Sequence, residues 1–431
     1  MVKVFLKKIR QKWHADIIAK LEDTFLRQGY VKEPVPHDFL DKDIFNFNKI
    51  CYNIASMETC IFCLSNLPAY LPPALVSTAG EPSPQDENLV KRLIMQYAEG
   101  NKKYSSEDGG FWGEWGAGIK RGIHEALLAE DLEKTTDIVR NPAKNVLFWG
   151  FDGLVAMPET YMQEAWELDR FGSKLSGTDF HAWLLCDALL NLAVAVGAVR
   201  MEYPEAGIPV LAGKANFDVP LNVDALLDTL EAEMGISLAF PNPFAGETGL
   251  ASKRGVISYR ALGAVYQAWR IAQLGRGNSE FKVLEIGAGL GRTAYYAHLF
   301  GIRNYTIVDI PMTNVAQGYF LGRVLGEDAI RLGTETHGAE NGLRILSTSD
   351  FMDHEESYDL VFNCDSLTEM PRTIAQAYWD FARKSTRCFL SINHEINEFT
   401  FKDMYSNDND VIVERHPYPL RRGYVEELAR W

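Results

Sequence analysis

The sequence predicts an α/β protein in two parts, a mainly α-helical N-terminal region followed by a doubly wound, mostly parallel sheet. Three observations lead there. Beyond about residue 258, apolar runs of strand length alternate with runs of helical periodicity, the pattern of parallel strands joined by crossover helices. A glycine-rich loop at 287–291 stands between the first of these strands and the helix after it. The last two strand candidates are too close in sequence for a helical crossover, so they pair antiparallel.

Within the first 240 residues the clearest helix has Asp224 as its N-cap, Leu226, Leu227, Leu230 and Met234 at helical spacing, and Gly235 at its end. Residues 66–86, with Pro68, Pro72, Pro73, Pro82 and Pro84, read as an irregular connector, and residues 107–118 as a loop of glycine, tryptophan and acid. Pro241, Pro243, Gly246 and Gly249 break any helix at 240–249 and mark the predicted junction, dividing the chain into 1–245 and 246–431. A helix from Ser258 then sets Leu262, Val265, Tyr266, Trp269 and Ala272 on one face and stops near Gly275. Strands are predicted at 282–286, 305–308, 343–347, 359–363 and 388–392, with a terminal hairpin of 411–414 and 424–430. These make a seven-stranded, Rossmann-like sheet.

A formal net charge of −15 repels phosphate backbones, so nucleic-acid partners are not expected. Lys3, Lys7, Lys8, Arg10 and Lys12 interleave with Val4, Phe5, Ile9 and Trp13, which reads as a solvated first helix, with peripheral contact to an anionic membrane as the alternative. The six cysteines are scattered and suit a reducing cytoplasm; Cys60 and Cys63 lack the second pair that a zinc site needs. No secretory signal is visible. Residues 182–199 are apolar but carry Asp187 and Asn191 at their middle, so they read as a buried helix of a soluble domain rather than a transmembrane segment.

The loop spacing selects a cofactor. A dinucleotide fingerprint places a third small residue at 292, where this chain has Arg292; here the glycines are Gly287, Gly289 and Gly291, preceded by Glu285. That GxGxG form is the version that binds S-adenosylmethionine (SAM). The next strand ends in Asp309, placed to accept hydrogen bonds from the ribose hydroxyls. The third runs into Asp350, an acceptor for the adenine amino group, and the fourth ends in Asn363 and Asp365 near the methyl donor. Taken singly, each of these residues is as well explained by a turn or a cap; their coincidence at four strand ends predicts the SAM site.

The residues VLEIGAGLGRTAYYAHLFGIRNYTIVDIP, followed by NCDSLTEMP and SINHE, resemble the sugar O-methyltransferase family of bacterial polysaccharide and glycan gene clusters. The likeness is strongest from about residue 250 to the end, including RGVISYRALGAVY at 254–266, and is loose before that. DSLTEM and the terminal RRGYVEE point to this family; the glycine loop points to the wider superfamily. The resemblance implies SAM-dependent methylation of a sugar hydroxyl, on a nucleotide sugar or a glycan, in a bacterial cytoplasm.

Methyl transfer to an alcohol needs alignment of the acceptor and removal of its proton. Asp365 and Glu369, four residues apart, and His394 and Glu395 are the candidates at the fourth and fifth strand ends. His394 is the expected general base, because its ordinary pKa lies near neutrality. Asp365, His394 and Glu395 holding a divalent metal is a less favoured alternative, since no compact ligand motif marks such a site. Arg254, Tyr259 and Arg260 are further candidates for an anionic group, and Trp112, Trp115 and Trp149 read as core as readily as carbohydrate platforms. Competing functions are methylation of another small acceptor, a non-catalytic scaffold on the same fold, and a nicotinamide dehydrogenase, which Arg292 disfavours.

Overall fold

The computed structural model describes residues 75–81, 85–102, 104, 118–154, 177–199, 222–276, 278–335, 342–352 and 356–431. Every described residue belongs to one compact unit, Ile61–Trp431. The basic N-terminal stretch, Cys60, Cys63, Trp112 and Trp115 lie outside the described residues.

In chain order the elements are β1 (Leu75–Ala79), α1 (Glu87–Lys102), α2 (Arg121–Leu128), α3 (Leu132–Arg140), α4 (Gly177–Val196), α5 (Val223–Met234), β2 (Ala245–Ser252), β3 (Gly255–Ile257) and α6 (Tyr259–Leu274). The α/β part follows with β4 (Lys282–Ile286), α7 (Arg292–Leu299), β5 (Asn304–Asp309), α8 (Pro311–Leu325), β6 (Ile330–Leu332), β7 (Leu343–Ser347), α9 (Thr348–Met352), β8 (Leu360–Cys364) and α10 (Arg372–Ser385). It closes with β9 (Cys388–His394), α11 (Lys402–Tyr405), β10 (Ile412–Pro417) and β11 (Tyr424–Arg430).

Among the described residues the main sheet has eight strands in the order β10-β11-β9-β8-β4-β5-β7-β6, where seven were expected. The extra strand, β6, is only three residues long and pairs parallel to β7 at the sheet edge, too short to stand out as an apolar run. The predicted hairpin is present: β10 and β11 pair antiparallel, and β11 pairs antiparallel with β9. Predicted strands at 282–286, 343–347 and 424–430 coincide with β4, β7 and β11, and the others differ by one to three residues at their ends. β4 is flanked by β5 on one side and β8 on the other, so the strand order reverses there.

Two irregular readings are corrected. Leu75–Ala79, inside the presumed connector, is a strand paired antiparallel with β2, and β2 in turn pairs with β3. The flanking prolines obscured a five-residue run with β-branched members. Gly249, read as a breaker, lies within β2: a Cβ there would fall 2.2 Å from the Ile257 carbonyl oxygen, so the glycine permits close strand pairing. Residues on both sides of 245 therefore share one small sheet.

The N-cap of α5 is Asn222, whose side chain accepts from Ala225 N, and not Asp224. Asp224 is already helical and its carboxylate instead accepts from Lys253 N at 2.9 Å. Gly235 ends the helix in the left-handed conformation, as expected. Helix α1 buries Leu89, Leu93 and Tyr97 along one face. It lies close on α8 because Gly318 and Gly322 have no side chains; a Cβ on either would come within 2.5 and 2.8 Å of Leu93 and Leu89.

Candidate active site

In an open α/β sheet, ligands bind in the crevice outside the carboxyl ends of the strands where strand order reverses. Here that point lies between β4 and β8, and a cavity opens there. It is walled by the loop after β4, the tip of β5, the turn after β8, and Lys120 with residues 149–152 from earlier in the chain.

The loop after β4 turns on three left-handed glycines, Gly287, Gly289 and Gly291, with φ of 70°, 56° and 84°. Gly287 also has no room for a side chain, since a Cβ would lie 2.2 Å from Ser366 Oγ. A Cβ on Gly291 would meet Leu321 Cδ1 at 2.8 Å, whereas on Gly289 it would make only ordinary contact with Phe151. Gly287 and Gly289 line the cavity; Gly291 caps α7 behind it. Arg292, at the position that a dinucleotide loop would fill with a small residue, is buried and paired with Glu247 at 2.5 Å and Asp152 at 3.2 Å. Burial lowers its pKa, but those two carboxylates more than offset this and hold it above the ordinary value.

Asp309, at the end of β5, faces the cavity. Its Oδ1 accepts from Ile310 N at 2.8 Å and its Oδ2 from Gln317 Nε2 at 2.7 Å. Burial pushes its pKa up to about 6 despite those bonds. Lys120 lies across the cavity with its Nζ 5.0 Å above the Phe151 ring; burial lowers its pKa to about 8, with Asp309 opposing. Glu285 also lines the cavity, accepts from Tyr305 Oη at 2.9 Å, and is raised to about 8 by burial, so it is mostly protonated at neutral pH.

Asp350 is not among the cavity-lining residues. Its Oδ2 accepts from Ser347 Oγ at 2.7 Å while its own N donates back to that hydroxyl, and Thr348 supplies the wall at this point. Asn363 is likewise set back and fully buried: it donates to the Ile286 carbonyl at 2.7 Å and accepts from Asn393 Nδ2 at 2.8 Å, tying together the tips of β4, β8 and β9.

Asp365 and Glu369 both line the cavity, although no helix places them on a common face: Asp365 precedes a short 3-10 turn over Leu367–Glu369. Asp365 adopts a left-handed φ of 55°, uncommon outside glycine, which turns the chain sharply after β8. Its carboxylate accepts from Tyr424 Oη at 2.7 Å and Arg421 at 3.1 Å and lies 3.5 Å from Arg260. Burial pushes its pKa up, but Arg421, Arg260 and the Tyr424 bond outweigh it and hold the carboxyl below its ordinary value. His394 ends β9 outside the cavity lining, its ring centroid 4.8 Å from that of Tyr424 and its Nδ1 accepting from Ile396 N. Burial and the neighbouring Arg421 lower it to about 4. Glu395 pairs with Arg415 at 2.7 Å. Among the described residues no group of three or more His, Cys, Asp or Glu side chains is arranged to hold a metal.

No family model matches the chain, and no curated protein matches it. It is similar to the solved structure of the CcbJ methyltransferase from Streptomyces caelestis, at 14% identity and a TM-score of 0.30, over 39% of this chain and 88% of that one. It is also similar to magnesium protoporphyrin IX methyltransferase (ChlM) from Synechocystis PCC 6803 with bound SAM, at 17% identity and a TM-score of 0.29, over 41% and 84% of the two chains. What the site does is read from its own residues.

Sequence reasoning missed Lys120, Gln317, Phe151 and Asp152, and did not single out Arg421. None carries a local signature: Lys120, Phe151 and Asp152 reach the cavity from parts of the chain distant in sequence from the glycine motif, and Gln317 and Arg421 act through Asp309 and Asp365 without lining it. Of the other candidates Arg260 and Trp149 line the cavity. Arg254 is engaged with Glu231 and Asp228, and Tyr259 donates to the Leu420 carbonyl.

Proposed function

We propose that this protein transfers a methyl group from SAM to a sugar hydroxyl, on a nucleotide sugar or at a glycan end. The observation that carries the methyl-transfer reading is the convergence of Gly287, Gly289, Asp309, Asp365 and Glu369 on one cavity at the reversal of strand order. The residues fit the donor: Asp309 faces the cavity, and after its bonds from Ile310, Gln317 and the Ala288 backbone the carboxylate keeps acceptor capacity for the ribose. The sugar rests on the likeness of DSLTEM and RRGYVEE to the family named above. Residues 1–245 are proposed to bind the acceptor or to support oligomerisation; Lys120 and Trp149 on the cavity wall favour the first role.

SAM supplies a methyl group on a cationic sulfur, reactive toward an oxygen aligned behind it. The protein's part is to orient the acceptor hydroxyl and take its proton. Glu369 is assigned the proton because it lines the cavity, whereas His394 is set back from it. Asp365, held anionic by Arg421 and Arg260, orients the hydroxyl, and His394 acts as a positioning residue behind Tyr424. A cytoplasmic location is proposed with this activity; no helix among the described residues is long and apolar enough to cross a membrane.

The test is incubation with SAM and a panel of nucleotide sugars and glycans, with and without EDTA, read by mass spectrometry. A methylated sugar supports the proposal. Turnover confined to phenols or amines rejects the sugar and keeps methyl transfer, and absence of SAM binding favours the scaffold.

A further inference from the structure

Lys120 brings an ammonium group to the cavity wall without a polar partner of its own. It is 6% exposed and lines the cavity, and among the described residues its side chain forms no hydrogen bond or ion pair. Its nitrogen stands 5.0 Å over the Phe151 ring, a contact that does not replace the water lost on burial. Two other acids of the wall are engaged elsewhere: Asp152 pairs with Arg292 at 3.2 Å, and Glu285 accepts from Tyr305 and is mostly protonated at neutral pH. Placement at the start of α2 brings no compensation, because a helix N-terminus favours anions and the first turn of α2 holds no acid.

The position is nevertheless fixed. The Lys120 carbonyl accepts from Ile123 N at 2.9 Å and His124 N at 3.0 Å. His124 is hydrogen-bonded to Tyr97 of α1 at 2.6 Å, α1 lies close on α8 at Gly318 and Gly322, and Gln317 of α8 donates to Asp309. Packed helices therefore hold Lys120 and Asp309 at a set separation. Asp309 is the carboxylate whose charge acts on Lys120, and the two form no ion pair. Too far apart to pair and near enough to attract, they leave room for a group between them.

Donor and acceptor chemistry selects that group. Lys120, lowered to about 8 and still mostly protonated at neutral pH, can only donate, whereas ionised Asp309 can only accept. A hydroxyl satisfies both, while an anion would be repelled by Asp309 and a cation by Lys120. We infer that Lys120 is a binding residue for the methyl donor, its ammonium donating to a ribose hydroxyl that itself donates to Asp309. The ligand's identity rests on the methyl-transfer reading. The chain before residue 246 then holds both substrates, the donor through Lys120 and the acceptor on the side of Trp149.

The experiment titrates S-adenosylhomocysteine (SAH) and its 2′-deoxy and 3′-deoxy forms into the full-length protein and into Lys120→Met by calorimetry. Lys120→Met is expected to lower SAH affinity about tenfold, the range for a hydrogen bond from a charged group. Against the deoxy form that lacks the bridging hydroxyl, the same substitution is expected to change affinity by less than about twofold, while its effect on the other deoxy form stays near tenfold. Lys120→Leu, which also removes the donor, serves if Lys120→Met fails to fold. SAH affinity unchanged by the substitution would overturn the inference alone and leave the donor site standing. An equal loss for SAH and both deoxy forms would also overturn it, by giving Lys120 a role away from the ribose. A parent protein that binds no SAH would reject the methyl-transfer reading and the inference with it.

Discussion

Gln317 ties Asp309 to the glycine loop: its Nε2 donates to Asp309 Oδ2 at 2.7 Å and to the Gly289 carbonyl at 3.0 Å. The side chain is fully buried, and its Oε1 is in turn held by Asn314. One amide therefore sets the distance between the glycine loop and the carboxylate proposed to accept the ribose hydroxyls.

Gln317→Leu keeps the volume and removes both bonds. We expect SAH affinity to fall about tenfold and stability by about 1–3 kcal/mol, the range for leaving buried polar groups unpaired. Calorimetry and urea unfolding measure the two; unchanged SAH affinity would mean that Gln317 only supports the fold.

The three loop glycines differ in what surrounds them. Each left-handed φ costs a non-glycine residue about 1–2 kcal/mol, but only Gly287 and Gly291 also face atoms closer than van der Waals contact. Gly289→Ala should therefore be the mildest of the three alanine variants in chemical denaturation, with Gly287→Ala and Gly291→Ala clearly worse. Equal losses would show that backbone conformation alone matters.

Arg292 is enclosed by Glu247 and Asp152, so Arg292→Met leaves two buried carboxylates unpaired. Breaking such a pair costs about 3–5 kcal/mol. The expected result is a large drop in unfolding free energy, partly restored by adding Glu247→Gln. A variant as stable as the parent would remove Arg292 from the set of structural anchors.

The titration of Asp309 and Glu285 gives a pH signature. Asp309 is raised from 3.8 to about 6 and Glu285 from 4.5 to about 8. In these windows the unfolded chain releases the proton first, so both contributions to stability are present below the ordinary pKa and are lost as pH rises through the folded one. Glu285→Gln should flatten the decline in Tm between pH 4.5 and 8. SAH binding runs the other way for Asp309, whose ionised form accepts the ribose: affinity should weaken as pH falls below about 6, and Asp309→Asn should abolish that dependence. A pH-independent SAH Kd in the parent protein would contradict this role for the carboxylate.

The parallel strands were legible because they are buried on both faces and read as short apolar runs closed by turns, as in the Val283, Leu284 and Ile286 stretch. β6 was not, because three residues at a sheet edge carry too little pattern, and β1 was hidden between prolines. At the site, Gly287, Asp309 and Asp365 were readable because each stands at the end of a strand whose position is set by the sheet. Direction was not readable: Asn363 and Asp350 also stand at strand ends, yet bond inward to Ile286 and Ser347. Nothing local to Lys120 or Arg421 shows that long-range packing brings them to Asp309 and Asp365.

The most direct test is calorimetric titration of SAH into the parent protein and into Asp309→Ala, with NAD as the competing ligand. The account predicts one SAH site per chain, lost in the variant, and no heat from NAD. Binding of NAD instead of SAH, or SAH binding undisturbed by Asp309→Ala, would contradict it.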